Sequence, residues 1–282
     1  MTSKIIDGKK IAEKIINELK SKIKNLKQKP GLALVLVGNN PASEIYVGSK
    51  EKAFKEVEGY CERHNLDESA SEMELLNLIN QLNNNPKIHG ILVQLPLPRQ
   101  IDENLVTNSI LPHKDVDGFT SLSLGHLFSG HEIIAPATAR AVINLIESTG
   151  IKIEGKNAVV VGRSNIVGKP VAMMLLEKNA SVTICHSKTK NIAEHTKKAD
   201  ILVAAAGKPK LITKEMVKEG AVVIDVGINR VNGKIVGDVD FENVKEIAGF
   251  ITPVPGGVGP MTIAMLMENT LKAMELADKV RH

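Results

Sequence analysis

Ala158-Val-Val-Val-Gly-Arg-Ser-Asn-Ile-Val-Gly-Lys-Pro170 joins a short β-branched run to a glycine turn and then to an amphipathic segment, the order strand, turn, helix. A helix starting there turns its unpaired backbone N–H groups and the positive end of its dipole towards the turn. Gly162 and Gly168 keep side chains out of the way, a geometry that suits a phosphate. The spacing is not the common G-x-G-x-x-G, so on the glycines alone two readings stay open: a dinucleotide turn, or an ordinary strand-to-helix turn with an exposed arginine. Arg163 and Ser164 add a guanidinium and a hydroxyl where the adenosine end of a dinucleotide would lie.

Beyond this stretch, strand and helix patterns alternate. Ser181–Cys185, Ile201–Ala206 and Ala221–Val226 read as strands, with helices expected at Asn191–Lys198 and Thr213–Lys218. That alternation predicts an α/β fold with a Rossmann-like, doubly wound parallel sheet in the C-terminal half. Asn232-Gly233 between two short apolar runs signals a hairpin. In sheets that bind NAD an acid about 20 residues past the glycine turn accepts from the ribose 2′-hydroxyl. Here the second strand ends in Cys185-His186-Ser187-Lys188 without an acid. Arg163 and Ser187 can then hold a 2′-phosphate, which argues for NADP. The later loop Ile251-Thr-Pro-Val-Pro-Gly-Gly-Val-Gly-Pro-Met-Thr262 is stiff and poor in side chains, a wall suited to a flat ligand.

In the first half, Ile11, Ile15, Leu19, Ile23 and Leu26 recur at helical spacing behind Asp7, a candidate cap. Gly31–Val37 reads as a buried strand, and Ser43 is placed to cap the next helix. On that helix Tyr46, Lys50, Ala53, Phe54 and Val57 share one stripe, so the Lys50 ammonium must snorkel out, find a partner, or have its pKa lowered by desolvation. A strand near Tyr60–Leu66 precedes the capping box Ser71-x-x-Glu74. The strand from Ile88 ends in Gln94 and two prolines, at the carboxyl end where ligands bind in open α/β sheets; an edge hydrogen bond is the alternative role for Gln94. Lys114-Asp-Val-Asp-Gly118 sets two acids beside a turn without the further ligands of a calcium loop.

With 282 residues, 43% hydrophobic, the chain can bury the cores of two domains. Its net charge of +4 is spread along the sequence and only 2% of residues are aromatic, so nucleic-acid binding is not expected. The lysine-rich run from Lys20 to Lys29 carries Ile23 and Leu26 at helical spacing and reads as a solvated helix face. Cys61 and Cys185 lie in no metal-binding or C-x-x-C spacing. With no signal peptide or membrane span in the pattern, the expected location is cytoplasmic.

Taken together, Tyr46-Val-Gly-Ser-Lys50, the VQLPLP run from Val93, KDVDGF from Lys114, VVVGRSNIVGKP from Val159, CHSKT from Cys185 and TPVPGGVGPMT from Thr252 resemble the methylenetetrahydrofolate dehydrogenase/cyclohydrolase family over nearly the whole chain. The resemblance implies two α/β domains flanking a cleft: a folate-binding catalytic domain over 1–135, an NADP-binding domain over 136–264, and a last helix, 265–282, returning to the first domain. It implies NADP-dependent oxidation of methylenetetrahydrofolate to the methenyl cation, hydrolysis of that cation to formyltetrahydrofolate, and a homodimer. By motif match Lys50 is the central catalytic residue, Tyr46 stacks on the folate ring, Gln94 positions Lys50, and Asp117 holds the donor edge of the pterin. Ser43 matches a supporting polar position. Gly162, Arg163, Ser164, Ser187 and Ile228 match NADP contacts, the last through backbone, and Pro260 lies on the folate side.

Two stretches depart from the family pattern. Pro-Cys-Thr-Pro-x-Gly is replaced by Pro136-Ala-Thr-Ala-Arg-Ala141, and His-Pro-x-Asn-x-Gly by Thr120-Ser-Leu-Ser-Leu-Gly125. Both lie near the cleft in the family, so a member with impaired dehydrogenase activity is one alternative. An NADP dehydrogenase of another small metabolite and a dinucleotide-binding sensor without chemistry are the others; Tyr46, Lys50, Gln94 and Asp117 count against both.

Overall fold

Asp7 fixes where the first long helix begins: its Oδ1 accepts from the Lys10 N–H at 3.0 Å, satisfying a donor the helix cannot. In the computed structural model, which describes residues 3–131 and 133–281, that helix is α1 (Gly8–Lys24), preceded by strand β1 (Lys4–Ile5). There follow β2 (Gly31–Val37), α2 (Pro41–Glu56), β3 (Tyr60–Leu66), α3 (Glu72–Asn84), β4 (Gly90–Val93), α4 (Glu103–Asn108), α5 (Ser121–Phe128) and α6 (Ala137–Glu147). The chain continues with β5 (Asn157–Val161), α7 (Gly168–Glu177), β6 (Ser181–Cys185), α8 (Ile192–Thr196), β7 (Ile201–Ala204) and β8 (Val222–Asp225). It ends with β9 (Asn229–Val231), β10 (Lys234–Val236), α9 (Phe241–Val244), β11 (Phe250–Ile251) and α10 (Val258–Arg281).

Two compact units result, one of Lys14–Ala137 with Leu266–His282, the other of Met1–Glu13 with Thr138–Met265. The first holds a three-stranded parallel sheet in the order β3-β2-β4. Its central strand, GLALVLV, is buried along its whole length, as a strand covered on both faces must be. Leu75, Ile79 and Leu82 of α3 bury one helix face against Ala33, Val35 and Ile91. Ser71 caps α3, its hydroxyl accepting from the Glu74 N–H.

The second unit holds a six-stranded sheet in the order β1-β11-β8-β7-β5-β6, every pairing parallel. Because β6 lies on one side of β5 and β7 on the other, the connection reverses direction at β5, and the crevice of a doubly wound sheet opens between the carboxyl ends of β5 and β7. The expected hairpin is β9-β10, with Asn232 (φ 50) and Gly233 (φ 76) both in the left-handed region that a two-residue turn demands.

Met1–Glu13 group with the second unit, where Lys4 and Ile5 pair with Phe250 and Ile251. Two sequence expectations need correction. Ser43 is not the cap of α2: the helix starts at Pro41, a residue suited to the first helical position, and Asn40 Oδ1 accepts from the Ser43 N–H instead. The helix expected over Thr213–Lys218 is a single 3-10 turn at Lys214–Met216, since Ile212 is held extended by backbone bonds to Asp238 and Asp240.

Candidate active site

The buried face of α2 runs through Ser43, Val47 and Phe54 to Val57 just past its end, and Lys50 falls in the middle of it with Tyr46 and Ala53 half-buried at its margin. The ammonium of Lys50 resolves its conflict with this face by finding a partner: Nζ donates to Gln94 Oε1 at 3.1 Å. Gln94 follows β4 directly, and its own amide is fixed, Nε2 donating to the Leu95 carbonyl at 2.7 Å. The Leu95-Pro96 bond is cis. Desolvation lowers the Lys50 pKa, opposed by the Asp117 carboxylate. The same burial pushes the Asp117 carboxyl up to about 6, with Lys50 pulling it down and Asp115 adding to the rise. Both side chains stay partly open to solvent, so the pair is desolvated but accessible.

The two acids of the Lys114–Gly118 run divide their labour. Asp115 is buried and faces inward, accepting from the N–H groups of Gly118 (2.9 Å), Phe119 (3.1 Å) and Thr120 (2.8 Å) and from the Ser123 hydroxyl (2.7 Å). Thr120, first residue of the departing stretch 120–125, caps α5 and donates its hydroxyl to Ser123, so these hydroxyls complete the support of Asp115. Lys114 donates to the carbonyls of Leu82 (3.1 Å) and Asn85 (2.9 Å) at the end of α3, which a cation near a helix C-terminus stabilises. Asn269 of α10 ties the loop from the other side, its Nδ2 donating to the carbonyls of Val116 (2.8 Å) and Ala135 (2.9 Å). Asp117 is thus presented on a loop whose backbone is bound on both flanks. The roles of Asp115, Lys114 and Asn269 escape sequence reading; only the Asp ahead of a glycine turn hints that its carboxylate anchors backbone.

The second unit carries the other candidates. Gly162 has φ 137, and a Cβ there would overlap the Ala205 carbonyl; a Cβ at Gly168 would overlap the Gly162 carbonyl. Both glycines are therefore demanded by close packing of the turn itself. The open helix N-terminus expected at α7 is filled: Ser164 Oγ accepts from the N–H groups of Val167 (3.2 Å) and Gly168 (3.3 Å), the Ser164 carbonyl accepts from Lys169 (3.1 Å), and Pro170 has no N–H. Arg163 beside the turn is exposed. Val161 pairs with Cys185 across β5 and β6, so exposed Arg163 and Ser187 both stand two residues beyond neighbouring strand ends. Ile228, half-exposed, leaves the end of β8, and Pro260 lies in the first turn of α10. In the altered 136–141 stretch, Ala137, Ala139 and Ala141 are buried at the start of α6. Among the described residues no group of His, Cys, Asp and Glu is arranged for a metal.

Residues 6–117 match the family model for the catalytic domain of tetrahydrofolate dehydrogenase/cyclohydrolase, and residues 136–278 that for its NAD(P)-binding domain. The chain belongs to the tetrahydrofolate dehydrogenase/cyclohydrolase family. It is 57% identical to the bifunctional protein FolD of Nitrosospira multiformis over 98% of each chain. The FolD crystal structure from Campylobacter jejuni superposes with a TM-score of 0.96 at 50% identity, covering 98% of this chain and 99% of that one. The Trypanosoma brucei dehydrogenase-cyclohydrolase, solved with NADP and an inhibitor, gives 0.95 at 37% identity over 99% of both. A shikimate dehydrogenase from Thermus thermophilus, at 13% identity and a TM-score of 0.53, shares the fold alone. In this dehydrogenase/cyclohydrolase chain, Lys50, Gln94 and Asp117 belong to one unit, and Arg163, Ser164, Ser187, Ile228 and Pro260 to the other.

Proposed function

We propose that this chain oxidises methylenetetrahydrofolate to the methenyl cation with NADP and hydrolyses that cation to formyltetrahydrofolate. The observation that carries the reading is Lys50: a desolvated amine of lowered pKa, held by a neutral amide at 3.1 Å and facing a carboxylate. Hydrolysis needs a base for the attacking water and an acid for the ring nitrogen that leaves. A lysine of ordinary pKa near 10.4 serves poorly as a base at neutral pH, whereas one lowered by desolvation serves both steps. Neutral Lys50 takes a proton from water as its oxygen bonds to the methenyl carbon. The carbon–nitrogen bond to the ring then breaks, Lys50 returns its proton to that nitrogen, and the second water proton is released. Gln94 keeps the amine aimed without adding a charge that would raise its pKa. Asp117, ionised at neutral pH, accepts from the amino edge of the pterin, and Tyr46, one turn before Lys50, stacks on the ring.

NADP, when bound, supplies the hydride acceptor. The donor set at the ends of β5 and β6 fits it: Arg163, Ser164, Ser187 and Lys188 are exposed there and the segment from Cys185 to Lys188 has no carboxylate to oppose a 2′-phosphate. Gly162 lets the turn pack closely, Ile228 offers backbone, and Pro260 borders the folate side. On this reading Lys14–Ala137 forms the folate unit and Thr138–Met265 the NADP unit. A homodimer and a cytoplasmic location complete the proposal. They are supported by the open outer edge of β3 and by two unpaired cysteines, and no helix among the described residues is long and apolar enough to cross a membrane. Mixing purified protein, methylenetetrahydrofolate and NADP should give methenyl and then formyl product, followed by absorbance; no NADP-dependent methenyl formation would sink the dehydrogenase half.

A further inference from the structure

Two acids that no step above uses lie at the carboxyl ends of the six-stranded sheet. Asp225 closes β8 and Asp238 follows β10, at 3% and 0% exposure. A carboxylate so buried persists only where donors surround it, and these two are surrounded mainly by backbone. Asp238 Oδ2 accepts from the N–H groups of Ala206 (2.6 Å) and Gly207 (2.8 Å), while Oδ1 accepts from Lys208 N–H (2.9 Å) and Asn229 Nδ2 (2.9 Å). Asp225 Oδ1 accepts from the N–H groups of Gly227 (3.0 Å) and Asp238 (2.9 Å), and Oδ2 from Val239 N–H (2.9 Å). A Cβ at Gly227 would overlap Asp238, and one at Gly237 would overlap Asp225, so the two glycines exist to admit the acids.

What these carboxylates hold is the rim of the crevice. Residues 206–208 leave the end of β7, and Ala205 just before them carries the carbonyl against which Gly162 packs. Ile228 sits between Gly227, bound to Asp225, and Asn229, bound to Asp238. The glycine turn of β5, the loop after β7 and the backbone of Ile228 are therefore set relative to one another by one linked pair of acids. We propose that Asp238, itself held by Asp225, is a positioning residue for the dinucleotide, fixing the 206–208 loop and Ile228 at the rim of the β5/β7 crevice. This rests on the NADP reading above.

The test measures NADP binding by equilibrium titration, together with both activities, in the full-length protein. Asp238→Ala removes all four acceptor bonds, and Asp238→Asn keeps an oxygen but sets an amide against N–H donors. Misplacing a binding loop is expected to raise the NADP Kd and KM by about tenfold or more in both, with kcat at saturating NADP within a few-fold. Hydrolysis of methenyl substrate per folded molecule should change far less, since Lys50, Gln94 and Asp117 lie in the other unit. Should Asp238→Ala not fold, Asn229→Ala leaves the 206–208 bonds to Asp238 in place, removes only the Asn229 Nδ2 bonds to Asp238 and the Val236 carbonyl, and is expected to weaken NADP binding by a smaller factor. Wild-type NADP affinity in folded Asp238→Asn and Asn229→Ala, or an equal loss of both activities tracking the unfolded fraction, would overturn the inference. Failure of the wild type to bind NADP would instead remove the cofactor reading and the inference with it.

Discussion

Lys50 Nζ and Gln94 Oε1 lie 3.1 Å apart, and the other end of the Gln94 amide is tied to the Leu95 carbonyl, so the lysine is held by a group that cannot rotate away and carries no charge. Replacing Gln94 with Glu puts an anion at that place. An opposite charge favours the ammonium, so the Lys50 pKa rises and the neutral fraction at pH 7 falls. Hydrolysis at pH 7 should drop by roughly 10- to 100-fold, one to two pKa units, and recover towards higher pH. Lys50→Met should abolish hydrolysis at every pH while keeping the fold, because Met fills similar apolar volume. Wild-type rates in folded Lys50→Met would return Lys50 to the role of a buried structural lysine.

Asp117 sets the acid limb. Its carboxyl, raised to about 6, is ionised at pH 7 and protonated as pH falls through about 6, losing its capacity to accept from the substrate's amino edge. In the oxidation half, which uses no lysine base, kcat/KM for methylenetetrahydrofolate should fall with a slope of about one log unit per pH unit below that point. Asp117→Asn should lower kcat/KM at pH 7 and flatten the limb. A limb that persists in Asp117→Asn would assign the titration to another group.

Arg163 and Ser164 part company. Arg163→Ala should weaken NADP by about 1.5–3 kcal/mol, the scale of a hydrogen bond to a charged group, and leave NAD nearly untouched. Ser164→Ala should cost about 1 kcal/mol of stability through loss of the bonds its hydroxyl accepts from the Val167 and Gly168 N–H groups, measured by denaturant unfolding. If Arg163→Ala weakened NAD and NADP equally, Arg163 would not read the 2′-phosphate.

The fold was readable because its strands are short apolar runs separated by helical spacing and glycine turns, and Asp7, Ser71 and Asn232-Gly233 each declare a local geometry that neighbouring residues complete. Lys50 was readable for the opposite reason, as a charge on an apolar stripe. Asp115, Asp225 and Asp238 were not, because an acid bound by backbone N–H groups looks in sequence like any acid beside a turn; its donors come from segments up to 32 residues away. The glycine turn was half-readable. Its glycines are required, but for packing against Ala205, and the helix end behind them is occupied by a serine from the same turn.

The 136–141 stretch gives a further test. Ala137 and Ala139 are buried in the first turn of α6, where a proline lacks no needed N–H. Ala137→Cys with Ala139→Pro should raise dehydrogenase turnover relative to hydrolysis if the family residues serve hydride transfer. An unchanged ratio of the two activities would mark the stretch as neutral variation.

Asp225 predicts how stability should vary with pH. Burial raises its carboxyl from 3.8 to about 6 despite three backbone donors, with the nearby Asp238 charge adding to the rise. A carboxyl whose folded pKa exceeds its unfolded value favours folding in its protonated form. Its contribution is fully present below about 3.8 and is lost as pH rises through about 6. A shift of about two units corresponds to about 3 kcal/mol. Asp117 contributes in the same direction, whereas Asp67 and Asp240, held below their usual range by hydrogen bonds, contribute oppositely at lower pH. The group is isolated by difference: Asp225→Asn cannot titrate and loses acceptor bonds, so it is less stable than wild type at pH 4, and the gap should narrow by about 3 kcal/mol by pH 7. Denaturant unfolding of both proteins from pH 4 to 7 measures the gap, and a gap constant across that range would show that the Asp225 carboxyl is not raised.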